Sequence, residues 1–249
     1  MLPKITLGLA LLLLPLCMMA QKSNNPAAKG FNEAGSDPKA IAIADQVMEA
    51  MGGRKAWDAT RYITWSFFGR RTLLWDKKEG QVRIDVPADK STYIIDVNKE
   101  TGLIKHKGNV MTQPDSIKKY AGVAKSIWIN DSYWLIMPYK MKDSGVTLKY
   151  KGEMPTETGA AAEVLELTFA GVGRTPENRY MVFVDKTSHL VVQWHYFKNA
   201  SDEKPSIATP WENYQRQGKI LISGDRGGNR KLTDIQVFES VPKEKFTVL

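Results

Sequence analysis

The sequence predicts a mainly β fold: a long antiparallel sheet that curls strongly or closes, accompanied by two helices. Three observations carry that prediction. About ten short runs of alternating apolar residues are separated by tight-turn signals. Two other stretches, one ahead of the strands and one among them, place apolar residues at the 3.6-residue spacing of a buried helix face. No internal repeat and no second-domain linker breaks the order, so residues 37–249 read as a single β domain.

Ahead of that domain, Lys4 supplies a positive start and Ile5 to Leu16 form an apolar run of signal-sequence length. The run is short for a membrane span. Met18, Met19 and Ala20 offer a small residue before Gln21, so residues 1–20 are expected to be a cleaved signal peptide and the protein to be exported to the periplasm. Leu14-Pro15-Leu16-Cys17 approaches a lipid-attachment site, but such sites want a small residue just before the cysteine, and Leu16 is not small. A soluble export product is therefore favoured over anchorage through Cys17. Because Cys17 is the only cysteine, the exported chain would hold together without a disulfide. Residues 21–36, QKSNNPAAKGFNEAGS, are small and polar with no apolar period, and read as a flexible tether.

Asp37 then stands as a helix N-cap with Pro38 in the first turn. Ile41, Ala44, Val47, Met48 and Met51 share one face, and Gly52-Gly53 ends the helix. A meander of about five strands follows. Its first member, Arg61 to Phe68, sets Ile63, Trp65 and Phe67 on one side. The others are Thr72 to Asp76, Gln81 to Val86, Ser91 to Asp96 and Leu103 to Lys107, with a short continuation at Asn109 to Thr112. After Pro114, Ile117, Tyr120, Ala121, Ala124, Ile127 and Trp128 define a second helix that Asn130-Asp131 should stop. Trp128 to Asp143, the densest aromatic stretch, then breaks at Pro138 and re-enters the sheet. Strands resume at Val146 to Tyr150, Val164 to Phe169, Arg179 to Asp185, Leu190 to Phe197, Trp211 to Tyr214, Lys219 to Ser223 and Leu232 to Glu239.

Chemistry is sparse by comparison. None of the three histidines, His106, His189 and His195, has a second ligand at a metal-binding spacing, so no metal site is expected. Gly171-Val172-Gly173 lacks the rest of a dinucleotide fingerprint and reads as a turn; no cofactor is expected. A Ser-His-Asp triad is assembled in space rather than in sequence, which leaves an envelope hydrolase using His195 as one alternative. There is, however, no G-x-S-x-G elbow and no α/β pattern to carry one. The net charge of +8 is spread along the chain; it suits a solvated surface, or peripheral contact with an anionic membrane, and nucleic acid is not expected as a partner.

Seven tryptophans are the more informative group. They make either a large solid core or the wall of an apolar cavity in a curled sheet. On the second reading Trp65, Trp75, Trp128, Trp134 and Trp194 are the candidate ligand-binding residues, and no catalytic residue is assigned.

Certain local motifs extend across the chain: Met51-Gly52-Gly53 with Ala56-Trp57, Trp75-Asp76, Tyr133-Trp134-Leu135, and Pro138 through Asp143. Gly173-Arg174-Thr175-Pro176 and Trp211-Glu212-Asn213-Tyr214 complete the set. Together with the order of elements, they give a chain that resembles the lipoprotein-carrier fold of LolA, LolB and their relatives, and most nearly exported proteins of Bacteroidota-type bacteria. The resemblance implies an incomplete β-barrel with helices on its concave side. It also implies a non-enzymatic periplasmic carrier of a lipid, a lipoprotein acyl chain or another hydrophobic molecule. A structural or interaction module that pairs with an envelope protein through a sheet edge is the remaining alternative.

Overall fold

The computed structural model describes residues 24–249. The expected signal peptide and Cys17 lie outside the described residues. From Asn24 onward the stretch read as a flexible tether is laid against the body of the protein. Ala28 N–H donates to the Lys142 carbonyl at 3.0 Å and Asn32 N–H to that of Val146 at 3.0 Å, while Gly145 N–H donates to Gly30 at 2.8 Å. Small polar side chains give no apolar period, but they let the backbone itself run along a strand edge and satisfy it.

Helix α1 (Pro38–Ala50) buries Ala40, Ile43, Ala44, Val47 and Met48, the face its spacing dictates. Asp37 does not cap it through its side chain. That carboxylate accepts instead from Tyr150 N–H at 2.9 Å and from Lys149 Nζ at 3.0 Å, tying the helix start to a strand. Gly52 has φ +112°, and a Cβ there would stand 2.3 Å from the Lys219 carbonyl, so the chain can pass that carbonyl only with glycine. A short helix, α2 (Arg54–Ala59), follows. It raises the number of α-helices among the described residues from the expected two to three. Six residues are too few to show a 3.6-residue period, which is why no apolar pattern announces it.

Strands β1 (Tyr62–Phe67), β2 (Arg71–Asp76), β3 (Gln81–Val86), β4 (Ser91–Asp96), β5 (Thr101–His106) and β6 (Asn109–Val110) form the meander. Helix α3 (Pro114–Ile136) interrupts the strands, and a 3-10 turn over Met137–Lys140 leads out of it. Then come β7 (Val146–Pro155), β8 (Ala161–Phe169), β9 (Arg179–Asp185), β10 (Val191–Phe197) and β11 (Ile207–Pro210). The last strands are β12 (Glu212–Gln217), β13 (Ile220–Asp225) and β14 (Leu232–Phe238).

The strands divide between a seven-stranded sheet in the order β14-β1-β2-β3-β4-β5-β6, a five-stranded sheet β11-β10-β9-β8-β7, and the pair β12-β13. All pairings are antiparallel, and β14 returns from the far end of the chain to pair Phe238 with Tyr62. The curved sheets do not close into a barrel, because β6 and β7 are separate edges with α3 between them in the chain. Ile63, Trp65 and Phe67 all face the core, as the alternation of β1 requires.

Helix α3 lies over β3, β4 and β5, with Ala121 and Ala124 fully buried where a larger side chain would hold the helix off the sheet. The expected stop at Asn130-Asp131 does not occur; the helix continues to Ile136. Asp131 is fully buried and bound by Arg71 from β2, so a residue that usually leaves a helix for solvent is instead held inside one.

Candidate functional site

Between α3 and the five-stranded sheet lies a cavity of about 750 Å³, within the range of small-molecule sites. The second half of α3 forms one wall and β9 with β10 the other, while residues 140–146 and 172–178 line its ends. The helix packs its buried alanine face on the seven-stranded sheet, while Tyr133 and Trp134 meet Tyr180 and Trp194 of the second sheet and Trp128 meets Trp75 of β2.

The walls are aromatic and mutually locked. Trp194, on β10, is 1% exposed; it stacks on Tyr180 of β9 at 5.0 Å and meets Trp134 of α3 edge-on at 5.0 Å. Trp211 packs behind it, also edge-on at 5.0 Å. Tyr133 lies 5.2 Å from Tyr180, and Trp75 meets Trp128 edge-on at 5.3 Å. Such contacts each add about 0.5–1.5 kcal/mol beyond burial, so the wall is held in one arrangement.

Of the five tryptophans singled out from the sequence, Trp75, Trp128, Trp134 and Trp194 line this cavity. Trp65 does not: it sits at the centre of β1, fully buried in the main core, and packs the sheet rather than the cavity. The sequence reading missed Tyr133, Phe169, Tyr180 and Tyr196, which also line it. Tyr180 was findable, since it alternates with Val182 and Val184 on the core face of β9. The contribution of residues 172–178 was not, because a glycine-containing loop carries no sign of what it covers.

Ser126, Asn130 and Ser132 add polar groups to the helix wall, and the charged side chains stand at the ends. Lys140 pairs with Asp143 at one end, and Arg174, Thr175 and Asn178 lie at another. Three lining side chains keep buried polar atoms without a hydrogen-bond partner: the indole nitrogens of Trp128 and Trp194 and the Tyr133 hydroxyl. Burial holds the Tyr133 phenol well above its ordinary value, with Tyr180 and Asp143 acting in the same direction, so it stays protonated at any physiological pH.

This arrangement can enclose an apolar molecule. His195 lies on the other face of β10, its Nε2 2.9 Å from the Gln193 amide nitrogen and its ring 4.7 Å from that of Phe183. Burial lowers its pKa, with Glu157 acting weakly against that. His106 is engaged by the Tyr93 hydroxyl at 2.8 Å. Among the described residues no group of three or more His, Cys, Asp or Glu side chains could hold a metal ion, and no helix is long and apolar enough to cross a membrane.

No family model and no curated protein matches this chain. Solved structures do. A DUF1329 family protein from Desulfovibrio piger is similar at 14% identity and a TM-score of 0.47, over 85% of this chain and 98% of that one. A LolA superfamily protein from Nitrosomonas europaea is similar at 10% identity and a TM-score of 0.42, over 83% and 96% of the two chains. MucB, solved in complex with MucA(peri), is similar at 13% identity and a TM-score of 0.25, over 74% of this chain and 61% of that one.

Proposed function

We propose that this protein is a periplasmic binding protein or carrier that shelters an acyl chain or a similar apolar molecule and catalyses no reaction. The observation that carries the reading is the cavity of about 750 Å³ between α3 and the five-stranded sheet, walled by aromatic side chains. An empty apolar cavity of this size forfeits dispersion contacts along its whole lining, and an apolar ligand restores them. Each methylene moved from water into it contributes about 0.8 kcal/mol. Trp75, Trp128, Trp134 and Trp194 are the binding residues in this reading, joined by Tyr133 and Tyr180. The apolar run at the start of the sequence supports export, and a carrier of lipid would exchange its cargo with a membrane or an envelope protein. Mass spectrometry of an organic extract of the purified protein tests the proposal: a lipid recovered at near one per chain supports it. Protein that is repeatedly empty and takes up no acyl probe refutes it.

A further inference from the structure

The cavity wall is apolar, but its mouth is not electrically neutral. At one end the loop over residues 171–178 crosses to α3, where Arg174 Nη2 donates to the Gly122 carbonyl at 2.9 Å. On the same helical turn the tip of the β4–β5 hairpin arrives: Lys125 Nζ donates to Glu100 at 2.9 Å. A Cβ added at Gly122 would stand 3.8 Å from the Glu100 carboxylate and 4.0 Å from the Arg174 guanidinium, so the two loops meet over one spot. Lys125 holds the Glu100 carboxyl below its ordinary value, and Arg174 and Lys118 lower it further. Three cations therefore surround one carboxylate.

The remaining charges nearby do not cancel that excess. Lys140 and Asp143, also at the cavity, neutralise each other. Of the charged side chains that line the cavity, this leaves Arg174 in surplus; Glu177, Glu100, Lys118 and Lys125 stand outside the lining. Arg174 spends one N–H on Gly122, and a guanidinium has five, so it keeps donors for a further acceptor. Its planar fork suits two oxygens of one anionic group better than a lysine would.

We infer that the cargo is an amphiphile with an acyl chain and a small anionic head, the chain lying among the aromatic walls and the head resting at Arg174 at the mouth. This rests on the carrier reading and sharpens it. A neutral chain would fill the same walls and leave the cations solvated as they are. An anionic head gains a charge-assisted pair at the one end of the cavity where positive charge is in surplus.

The test is calorimetric titration of the full exported protein with three ligands of equal chain length: dodecanoate, dodecyl phosphate and dodecanol. The expected result is that at least one of the two anions binds about tenfold more tightly than the alcohol, the worth of one charge-assisted hydrogen bond. The tighter of the two identifies the head as carboxylate or phosphate. In Arg174→Gln that preference should fall to near unity while the alcohol binds as before. The remote, exposed Lys243→Gln, which removes the same charge, should change nothing. Equal binding of all three ligands, or a preference that survives Arg174→Gln, overturns the inference and leaves the carrier reading standing. Failure of all three to bind overturns the carrier reading itself.

Discussion

Arg71 on β2 grips Asp131 on α3 with two parallel hydrogen bonds, Nε to one carboxylate oxygen at 2.6 Å and Nη2 to the other at 2.7 Å. Asp131 is fully buried and the Arg71 side chain is 21% exposed. Burial pushes the Asp131 carboxyl up, and the bonds from Arg71 and Asn130 work against it. Desolvation thus consumes much of what the pair gains, as is usual for buried ion pairs. What the pair supplies is position: it fixes the cavity-forming half of α3 relative to the seven-stranded sheet.

Removing one partner should therefore cost far more than removing both. Arg71→Ala leaves a buried carboxylate unpaired and is expected to destabilise the protein by about 3 kcal/mol. The double variant Arg71→Met with Asp131→Leu should lie within about 1 kcal/mol of the parent. Urea unfolding of the three proteins checks this; a double variant as unstable as the single one would contradict it.

A second clamp holds the end of the same helix. Arg226, fully buried, donates to the Trp134 carbonyl at 2.7 Å and to the Ser223 hydroxyl at 2.7 Å, with its guanidinium 3.3 Å from the Trp211 ring centre. Burial lowers its pKa to about 9, which still leaves it charged at neutral pH. Arg226→Lys keeps the charge but loses the fork and the stacking, so it should not rescue the loss of about 2–3 kcal/mol expected when Arg226→Ala leaves the Trp134 carbonyl and the Ser223 hydroxyl without their donor. Thermal unfolding with near-ultraviolet circular dichroism, which reports the Trp194–Trp211 contact, measures both effects.

The cavity tryptophans should separate by burial. Trp194→Ala removes a side chain that is 1% exposed and is expected to cost about 3–5 kcal/mol. Trp128, half-buried at the cavity, should cost under about 1.5 kcal/mol when changed to Phe yet weaken binding of an acyl probe several-fold. Paired unfolding and binding measurements distinguish the two roles; equal stability losses with unchanged binding would show Trp128 to be plain core.

Lys77 should give the protein an alkaline signature. Its ammonium sits 3.5 Å from the Trp57 ring centre and donates to the Trp57 carbonyl. Burial lowers its pKa from 10.5 to about 8, partly opposed by Asp58. Because the folded value is depressed, the unfolded chain binds more protons between about pH 8 and 10.5, so this group makes stability rise across that window. Lys77→Met should lack the rise. Urea unfolding at about pH 7.5, below the window, and about pH 10, near its top, compares the two proteins; an identical change in stability would contradict the assignment.

How much of this was legible in the sequence follows from range. Local alternation placed Ile63, Trp65 and Phe67 on the core face of β1, and 3.6-residue spacing placed the buried face of α1, because both are set by neighbours a few residues away. The length of α3 was hidden because Asp131 reads locally as a stop, while the partner that keeps it helical is Arg71, on a strand. Residues 24–36 were read as a tether because backbone pairing to Lys142 and Val146 leaves no mark on side-chain composition. The tryptophans were visible as a group, but whether one fills the core, like Trp65, or lines a cavity, like Trp134, depends on where two separate sheets stand about α3. Nothing in a local pattern carries that distance.

The central claim is that the space beside Trp134 and Trp194 takes up an acyl chain, and bromine-labelled dodecanoate probes it directly, since bromine quenches indole emission only on close approach. The account predicts saturable quenching near one ligand per chain, weakened in Ile207→Phe, which fills part of the cavity. Unquenched emission at saturating ligand, or quenching that rises without saturation and ignores the filled cavity, would contradict it.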